Sequence, residues 1–158
     1  MMNTAQCTLA IPYAIPRYRV SVVKESESAW ADKPAIHAPA DVHTLLAPIF
    51  ADMDREALYT VLLDSKNRIL GLNLVSLGIL DSSLVHPREV FKPAIVLGAA
   101  AIILAHNHPS GDPTPSAEDK RVTERIAEVG KLIGIDLLDH VVIGDTSRWV
   151  SLKERGVL

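Results

Sequence analysis

Two histidines and an aspartate stand close together in the segment HNHPSGDPTPSAED, residues 106–119. Two neutral imidazoles and one carboxylate form a tripodal ligand set that suits a catalytic zinc ion, with the fourth tetrahedral position left for water. Zinc lowers the pKa of such a water from about 15.7 toward 7, which supplies a hydroxide nucleophile at neutral pH. The residue types therefore predict a metal site on His106, His108 and Asp119.

The elements around this segment are those needed to bring the three side chains together. The apolar run at residues 102–105 is typical of a buried strand. Side chains alternate along a strand, so both histidines leave one face and Asn107 leaves the other. The loop PSGDPTP then leads into a helical pattern that opens after Ser116. Asp119 falls in the first turn of that helix, where it can face the histidines.

A structural interpretation competes for the second half of the segment. Ser116-x-x-Asp119 matches a capping box, in which the serine accepts from a backbone N–H and the acidic side chain reaches back. A His-x-His at the end of a strand can also be incidental. The occurrence of His-x-His and Ser-x-x-Asp in one short segment favours the metal site. Ser116 can both cap the helix and have a role in that site.

The same segment is similar to the JAMM motif, H-x-H-P-x(6)-S-x-x-D, of the MPN/JAB metallopeptidase domain. It resembles the RadC-like branch in particular, as do the stretches VHPREVFKPA and LLDHVVIG, so the resemblance extends from about residue 40 to the C-terminus. The resemblance implies zinc ligands at His106, His108 and Asp119. It also implies that Ser116 stabilises the tetrahedral intermediate, and that a glutamate just before a strand is the general acid/base.

Two glutamates are candidates for that acid/base. Glu56 stands immediately ahead of the apolar stretch from Ala57 to Leu63, which predicts a strand. The alternative for Glu56 is a solvated charge at a strand edge. Glu89 is the rival and ranks second, because it falls in a predicted helix.

The other histidines receive no chemical role. His140 lies in an apolar strand pattern and is expected to be a satisfied core histidine or to support a ligand, in preference to being a fourth ligand. His86 precedes Pro87 and is expected to cap a helix or lie on the surface. His37 is expected to be a solvated loop residue, and His43 a surface residue of the first predicted helix.

Composition limits the classes of function. The 158 residues predict one domain with a small extension, and 48% hydrophobic residues supply a core. A net charge of -3 argues against a broad basic face that binds nucleic acid. The single cysteine, Cys7, excludes an internal disulfide and a cysteine-based zinc knuckle. No signal peptide and no apolar run approaching 18 residues is found, which predicts a cytoplasmic protein.

The pattern of elements predicts an α/β (mixed α+β) fold. Residues 1–39 are predicted to form an N-terminal arm with one strand at 17–24, and residues 40–158 the JAB-like domain. The order β, α, ββ, α, β, α, ββ indicates a mixed sheet flanked by helices. The resemblance implies the MPN version of this architecture, a curved, cytidine-deaminase-like mixed sheet.

After the arm, the sequence predicts a helix that Asp41 caps and that runs to about residue 53, strands at 57–63 and 68–76, and a helix from 87. A strand that begins at 102 is predicted to end in residues 106–108, and a helix follows at 117–133 whose buried side carries Val122, Ile126, Val129 and Ile133. The last predicted strands are 136–143 and 148–152.

The leading functional prediction is a zinc-dependent hydrolase that cleaves a peptide or isopeptide bond and binds one zinc ion per chain, although manganese or iron could occupy a His₂Asp site. Its partner would be a peptide or protein substrate. One alternative is a DNA-repair or nucleic-acid-processing accessory protein, a label attached to the RadC-like branch. Many members of that branch place a helix-hairpin-helix segment ahead of the domain, and the roughly 40 residues here show no such motif. A second alternative is an interaction module without catalysis.

Overall fold

The computed structural model describes residues 34–78 and 85–158. The predicted strand at 17–24 lies outside these ranges, and the order of the remaining elements is as predicted. None of the helices in the described ranges is long and apolar enough to cross a membrane. The elements are α1 (Pro39–Phe50), β1 (Ala57–Leu63), β2 (Ile69–Leu77), α2 (Pro87–Leu97), β3 (Ala101–Asn107), α3 (Ala117–Ile133), β4 (Asp136–Ile143) and β5 (Trp149–Ser151).

The five strands form one mixed sheet in the order β2-β1-β3-β4-β5. β1 is antiparallel to both β2 and β3, while β3 and β4 are parallel. A parallel pair needs a crossover connection, and α3 supplies it. The α/β mixed sheet predicted from the sequence is therefore confirmed. β3 is the central strand, and its end that carries His106 lies in the middle of one end of the sheet.

The sheet separates two apolar cores. α1 covers one face, where it packs against Ile103 and Ala105 of β3. α2 and α3 cover the other face, where they pack against Ile102 and Leu104. Because side chains alternate along a strand, His106 follows Leu104 onto the α3 face.

α1 begins two residues earlier than predicted. Asp41 is not the N-cap: its Oδ2 accepts hydrogen bonds from the backbone N–H groups of His37 at 2.7 Å and Ala38 at 2.9 Å. Asp41 thus lies inside the first turn and reaches back to the preceding backbone, while Pro39 starts the helix. Pro48 stays within the helix, which ends at Phe50 and not near residue 53.

His37 is exposed as predicted, and His43 is less exposed than is expected of a surface residue of α1. The His43 side chain is partly buried, its Nε2 lies 2.9 Å from the carbonyl oxygen of Asp145, and its ring lies 6.2 Å from that of Trp149. His43 therefore connects α1 to the turn between β4 and β5, a long-range contact that local sequence does not disclose.

α2 and α3 begin where the sequence predicts. The Nδ1 atom of His86 accepts from the backbone N–H of Arg88 at 3.1 Å, which confirms the capping role, and α2 continues through Pro93. The buried side of α3 passes through Thr123 and Gly130, and the predicted burial of Ile133 is wrong, since its side chain is 42% exposed. The chain reverses directly after that residue, and Ile135 packs in the core instead.

Candidate metal centre

The three predicted ligands converge at the end of β3 and the start of α3. The Nε2 atoms of His106 and His108 are 3.0 Å apart. Oδ1 of Asp119 lies 3.3 Å from His106 Nε2, and Oδ2 lies 3.7 Å from His108 Nε2. His106 and Asp119 are buried, and His108 is partly open to solvent. The described residues thus bring together the His-His-Asp group that could hold a metal ion.

The orientation of His108 is fixed by the loop that follows it. Its Nδ1 lies 2.7 Å from the carbonyl oxygen of Asp112. A carbonyl oxygen can only accept, so Nδ1 carries the hydrogen and donates it. In the neutral ring Nε2 then keeps its lone pair, which is directed at His106 and Asp119, as a metal ligand requires.

The loop is held tightly against the rest of the domain. The backbone N–H of His108 donates to the carbonyl of Ile143 at 2.8 Å, and that of Gly111 donates to His108 at 2.9 Å. A Cβ atom on Gly144 would lie 2.4 Å from the carbonyl oxygen of Gly111. Only glycine at position 144 permits this approach, so the turn after β4 positions the loop that orients His108.

The donor atoms fit a zinc ion. Tetrahedral coordination at about 2.0–2.1 Å separates ligand atoms by about 3.3 Å. The two Nε2 atoms are 3.0 Å apart and Asp119 Oδ1 lies 3.3 Å from His106 Nε2, and one donor atom from each residue can be chosen so that all three lie within 4.8 Å of one another. Two ring nitrogens this close that both present lone pairs repel each other unless a hydrogen or a cation lies between them. The Asp119 carboxylate raises the pKa of His108, with the charge of Glu56 contributing.

Asp119 and His106 are held in the protonation states that a metal needs. Burial opposes ionisation of Asp119, but the neighbouring His108 and His106 and the hydrogen bonds from Ser116 outweigh it, so the pKa of Asp119 lies far below its ordinary range. Burial, followed by the neighbouring His140, lowers the pKa of His106 well below its ordinary value of 6.5. A carboxylate and a neutral imidazole therefore face the centre at neutral pH.

Ser116 is the N-cap of α3 and also holds Asp119. Both its backbone N–H (2.7 Å) and its hydroxyl (2.6 Å) donate to Asp119 Oδ2, and its Oγ accepts from the Asp119 N–H at 3.1 Å. The capping box and the ligand arrangement therefore coexist, with Oδ1 directed at His106. Because the hydroxyl hydrogen is directed at Asp119, it must change acceptor before it can bind an oxyanion.

Substitution Ser116→Ala should lower the free energy of unfolding of the metal-free chain by about 1 kcal/mol, since loss of an N-cap side chain typically costs about 0.5–2 kcal/mol. Urea unfolding measures the effect. Ser116→Thr keeps the hydroxyl and is the matched control. Equal stability of the alanine variant and the wild type would contradict this capping role.

Asn107, on the opposite face of β3, holds the backbone on both sides of Glu56. Its Oδ1 accepts from the N–H of Ala57 at 2.7 Å, and its Nδ2 donates to the carbonyl of Arg55 at 3.2 Å. The carbonyl of Glu56 itself accepts from Gly78 at 2.7 Å. The residue between the two histidines thus connects the candidate acid/base to the strand that carries the ligands.

Asn107→Leu should lower the free energy of unfolding by about 1–3 kcal/mol, because a buried N–H and a carbonyl lose their partner. Zinc affinity should stay at the wild-type value, since the amide faces away from the ligands. Urea unfolding and a zinc titration of the same samples measure both quantities. A loss of zinc affinity without a loss of stability would contradict this assignment.

The surroundings of the two candidate glutamates differ. Glu56 is partly buried, and its charge is among those that raise the pKa of His108. Glu89 instead forms ion pairs on its own helix, with Lys92 at 2.6 Å and Arg88 at 3.1 Å, and these lower its pKa. The electrostatic proximity to a predicted ligand favours Glu56 as the candidate acid/base.

Two further polar residues stand behind His106. His140 Nε2 lies 2.8 Å from His106 Nδ1, and His140 Nδ1 lies 2.6 Å from the hydroxyl of Thr123. His140 thus supports a predicted ligand, in line with the expectation from sequence. Thr123 was missed, although its position four residues after Asp119 places both on one face of α3.

A cavity of about 300 Å³ lies on the α1 side of the sheet. Phe50, Met53 and Ile143 form part of its apolar wall. Its lining includes His108 but neither His106 nor Asp119, so the cavity does not open onto the converging donor atoms.

Comparison with known proteins places this chain in a family. The RadC-like JAB domain matches residues 36–157. The chain belongs to the RadC-like JAB domain family. It is 53% identical over 124 residues to the UPF0758 protein of Methanosarcina mazei, and 58% identical over 123 residues to that of Moorella thermoacetica. Each alignment covers 78% of this chain, and 54% and 53% of the respective relative. This JAB-domain chain therefore spans about half the length of the curated relatives it matches.

Proposed function

We propose that this RadC-like JAB domain is a zinc-dependent hydrolase that cleaves an amide bond of a peptide or isopeptide. The observation that carries the proposal is the convergence of one donor atom each from His106, His108 and Asp119 within 4.8 Å of one another. Two imidazoles and one carboxylate leave a coordination position open, which is typical of catalytic zinc sites and not of closed structural ones.

Each residue has a role that its position supports. His106, His108 and Asp119 would hold the zinc ion, which would supply an acidified water and polarise the substrate carbonyl. Glu56 accepts the proton of the water and later delivers it to the leaving amine, and its charge acts on His108 in the present arrangement. Ser116 donates to the developing oxyanion once its hydroxyl turns away from Asp119, at a position next to the ligands.

The test compares zinc-loaded and chelator-treated protein on peptide and isopeptide libraries, with products identified by mass spectrometry. We expect hydrolysis by the zinc-loaded chain alone, restored to the treated chain when zinc is added back. The metal-free His108→Ala variant is the control for contaminating proteases. Full zinc loading without hydrolysis of any library would contradict the hydrolase and favour a metal-binding interaction module.

A further inference from the structure

A continuous chain of buried contacts leads from the backbone of α3 to the ring of His106. The Thr123 hydroxyl lies 2.6 Å from the carbonyl oxygen of Asp119 and 2.6 Å from His140 Nδ1. His140 Nε2 in turn lies 2.8 Å from His106 Nδ1. The side chains of Thr123, His140 and His106 are fully buried, with 0% exposure.

The Asp119 carbonyl, at one end of this series of contacts, determines the direction of every hydrogen bond in the series. A carbonyl oxygen can only accept, and two oxygens at 2.6 Å without a hydrogen between them would repel. Thr123 must therefore donate its one hydrogen to the Asp119 carbonyl. The hydroxyl can then only accept from His140, so Nδ1 of His140 carries a hydrogen.

The position of the hydrogen on His140 determines the position of the hydrogen on His106. The His140 ring is fully buried, and a neutral ring with its hydrogen on Nδ1 has a lone pair on Nε2. That lone pair accepts from His106, whose Nδ1 then carries the hydrogen. His106 Nε2 is left without a hydrogen and faces His108 and Asp119.

We propose that Thr123 and His140 are positioning residues that hold His106 in the tautomer whose Nε2 lone pair is presented to the metal. Metal-ligating histidines generally need their other ring nitrogen held by a partner. Here the partner is a second histidine, and the backbone carbonyl of the ligand Asp119 fixes its orientation in turn. The inference rests on the metal centre of the proposed function but not on hydrolysis.

Removal of the hydroxyl predicts a specific failure. Without an acceptor at Thr123, His140 is more stable with its hydrogen on Nε2, where it donates to His106 Nδ1. His106 then carries its hydrogen on Nε2, directed at the position that the metal occupies. Zinc must reverse both tautomers before it binds, so its affinity falls.

Thr123→Val removes the hydroxyl at nearly constant volume. We expect a zinc dissociation constant about 10–100-fold higher than in the wild type, the usual effect of losing a partner behind a metal ligand. Competition with a chromophoric chelator measures it on the full chain. Thr123→Ser keeps the hydroxyl and should restore wild-type affinity.

Thr60→Val is the control for a buried threonine-to-valine change. Thr60 is also fully buried, on β1, and its hydroxyl has no hydrogen-bond partner among the described residues. Its replacement should leave zinc affinity unchanged. Equal losses for the valine variants at positions 60 and 123 would show a general effect of core substitution and overturn the inference.

The tautomers can be read directly from nitrogen-15 NMR of the imidazole rings in the metal-free protein. We expect hydrogens on Nδ1 of both His106 and His140 in the wild type, and on Nε2 of both in Thr123→Val. An Nε2 hydrogen on His106 in the wild type would overturn the inference. If the wild type binds no zinc, the proposed function fails, while the tautomers still decide the hydrogen-bond assignment.

Discussion

Glu56→Gln should lower kcat for amide hydrolysis by about 10²–10⁴-fold, the usual contribution of a general acid or base. Glutamine preserves the size of the side chain but cannot accept the proton of the attacking water. Glu56 is not one of the ligands, so the variant should keep the zinc content of the wild type. The measurement is kcat on the best substrate from the library, together with elemental analysis of the same samples.

Glu89→Gln is the matched control for this experiment. Glu89 pairs with Lys92 and Arg88 on the surface of α2, and exposed pairs of this kind contribute about 0–1 kcal/mol to stability. Its kcat should equal that of the wild type. A large loss of kcat in the Glu89 variant with full activity in the Glu56 variant would reverse the assignment.

His108→Ala should abolish the stabilisation that zinc gives the fold. A ligand at 100 times its dissociation constant stabilises the folded state by about 2.7 kcal/mol, and the variant should gain none of this at the same zinc concentration. The His108 side chain is 14% exposed, so its removal leaves a smaller defect than removal of the fully buried His106. Urea unfolding with and without zinc measures both effects.

His86→Ala supplies the comparison. His86 is an exposed N-cap of α2 outside the ligand group, so its variant should respond to zinc as the wild type does. If zinc stabilised His108→Ala as much as the wild type, the ion would be bound elsewhere and the ligand assignment would be wrong.

The ligand arrangement could be predicted because each step depends on local sequence. The apolar run before His106 indicates a strand, alternation puts both histidines on one face, and Ser116 marks where α3 begins. β1, α3 and β4 accordingly have the predicted bounds. Gly134 and the prolines before Ser116 break helical structure, so α3 has few alternative boundaries.

The contacts behind the ligands could not be predicted, because they join segments far apart in the chain. Asn107 reaches the backbone around Glu56, 50 residues away from its partner Ala57, and His106 meets His140 across 34 residues. The sequence around Thr123 does not distinguish it from the other residues of α3. The predicted start of α1 was wrong for a different reason. Asp41 is equally suited to the N-cap and to a position inside the first turn, from which its side chain reaches back to the preceding backbone.

The central claim is that His106, His108 and Asp119 hold a metal ion, and elemental analysis of the wild-type chain tests it most directly. The chain is incubated with zinc, freed of excess by gel filtration, and analysed for zinc per chain. We predict one zinc ion per chain, bound at the open His₂Asp centre. A chain that retains no zinc after this treatment would contradict the account.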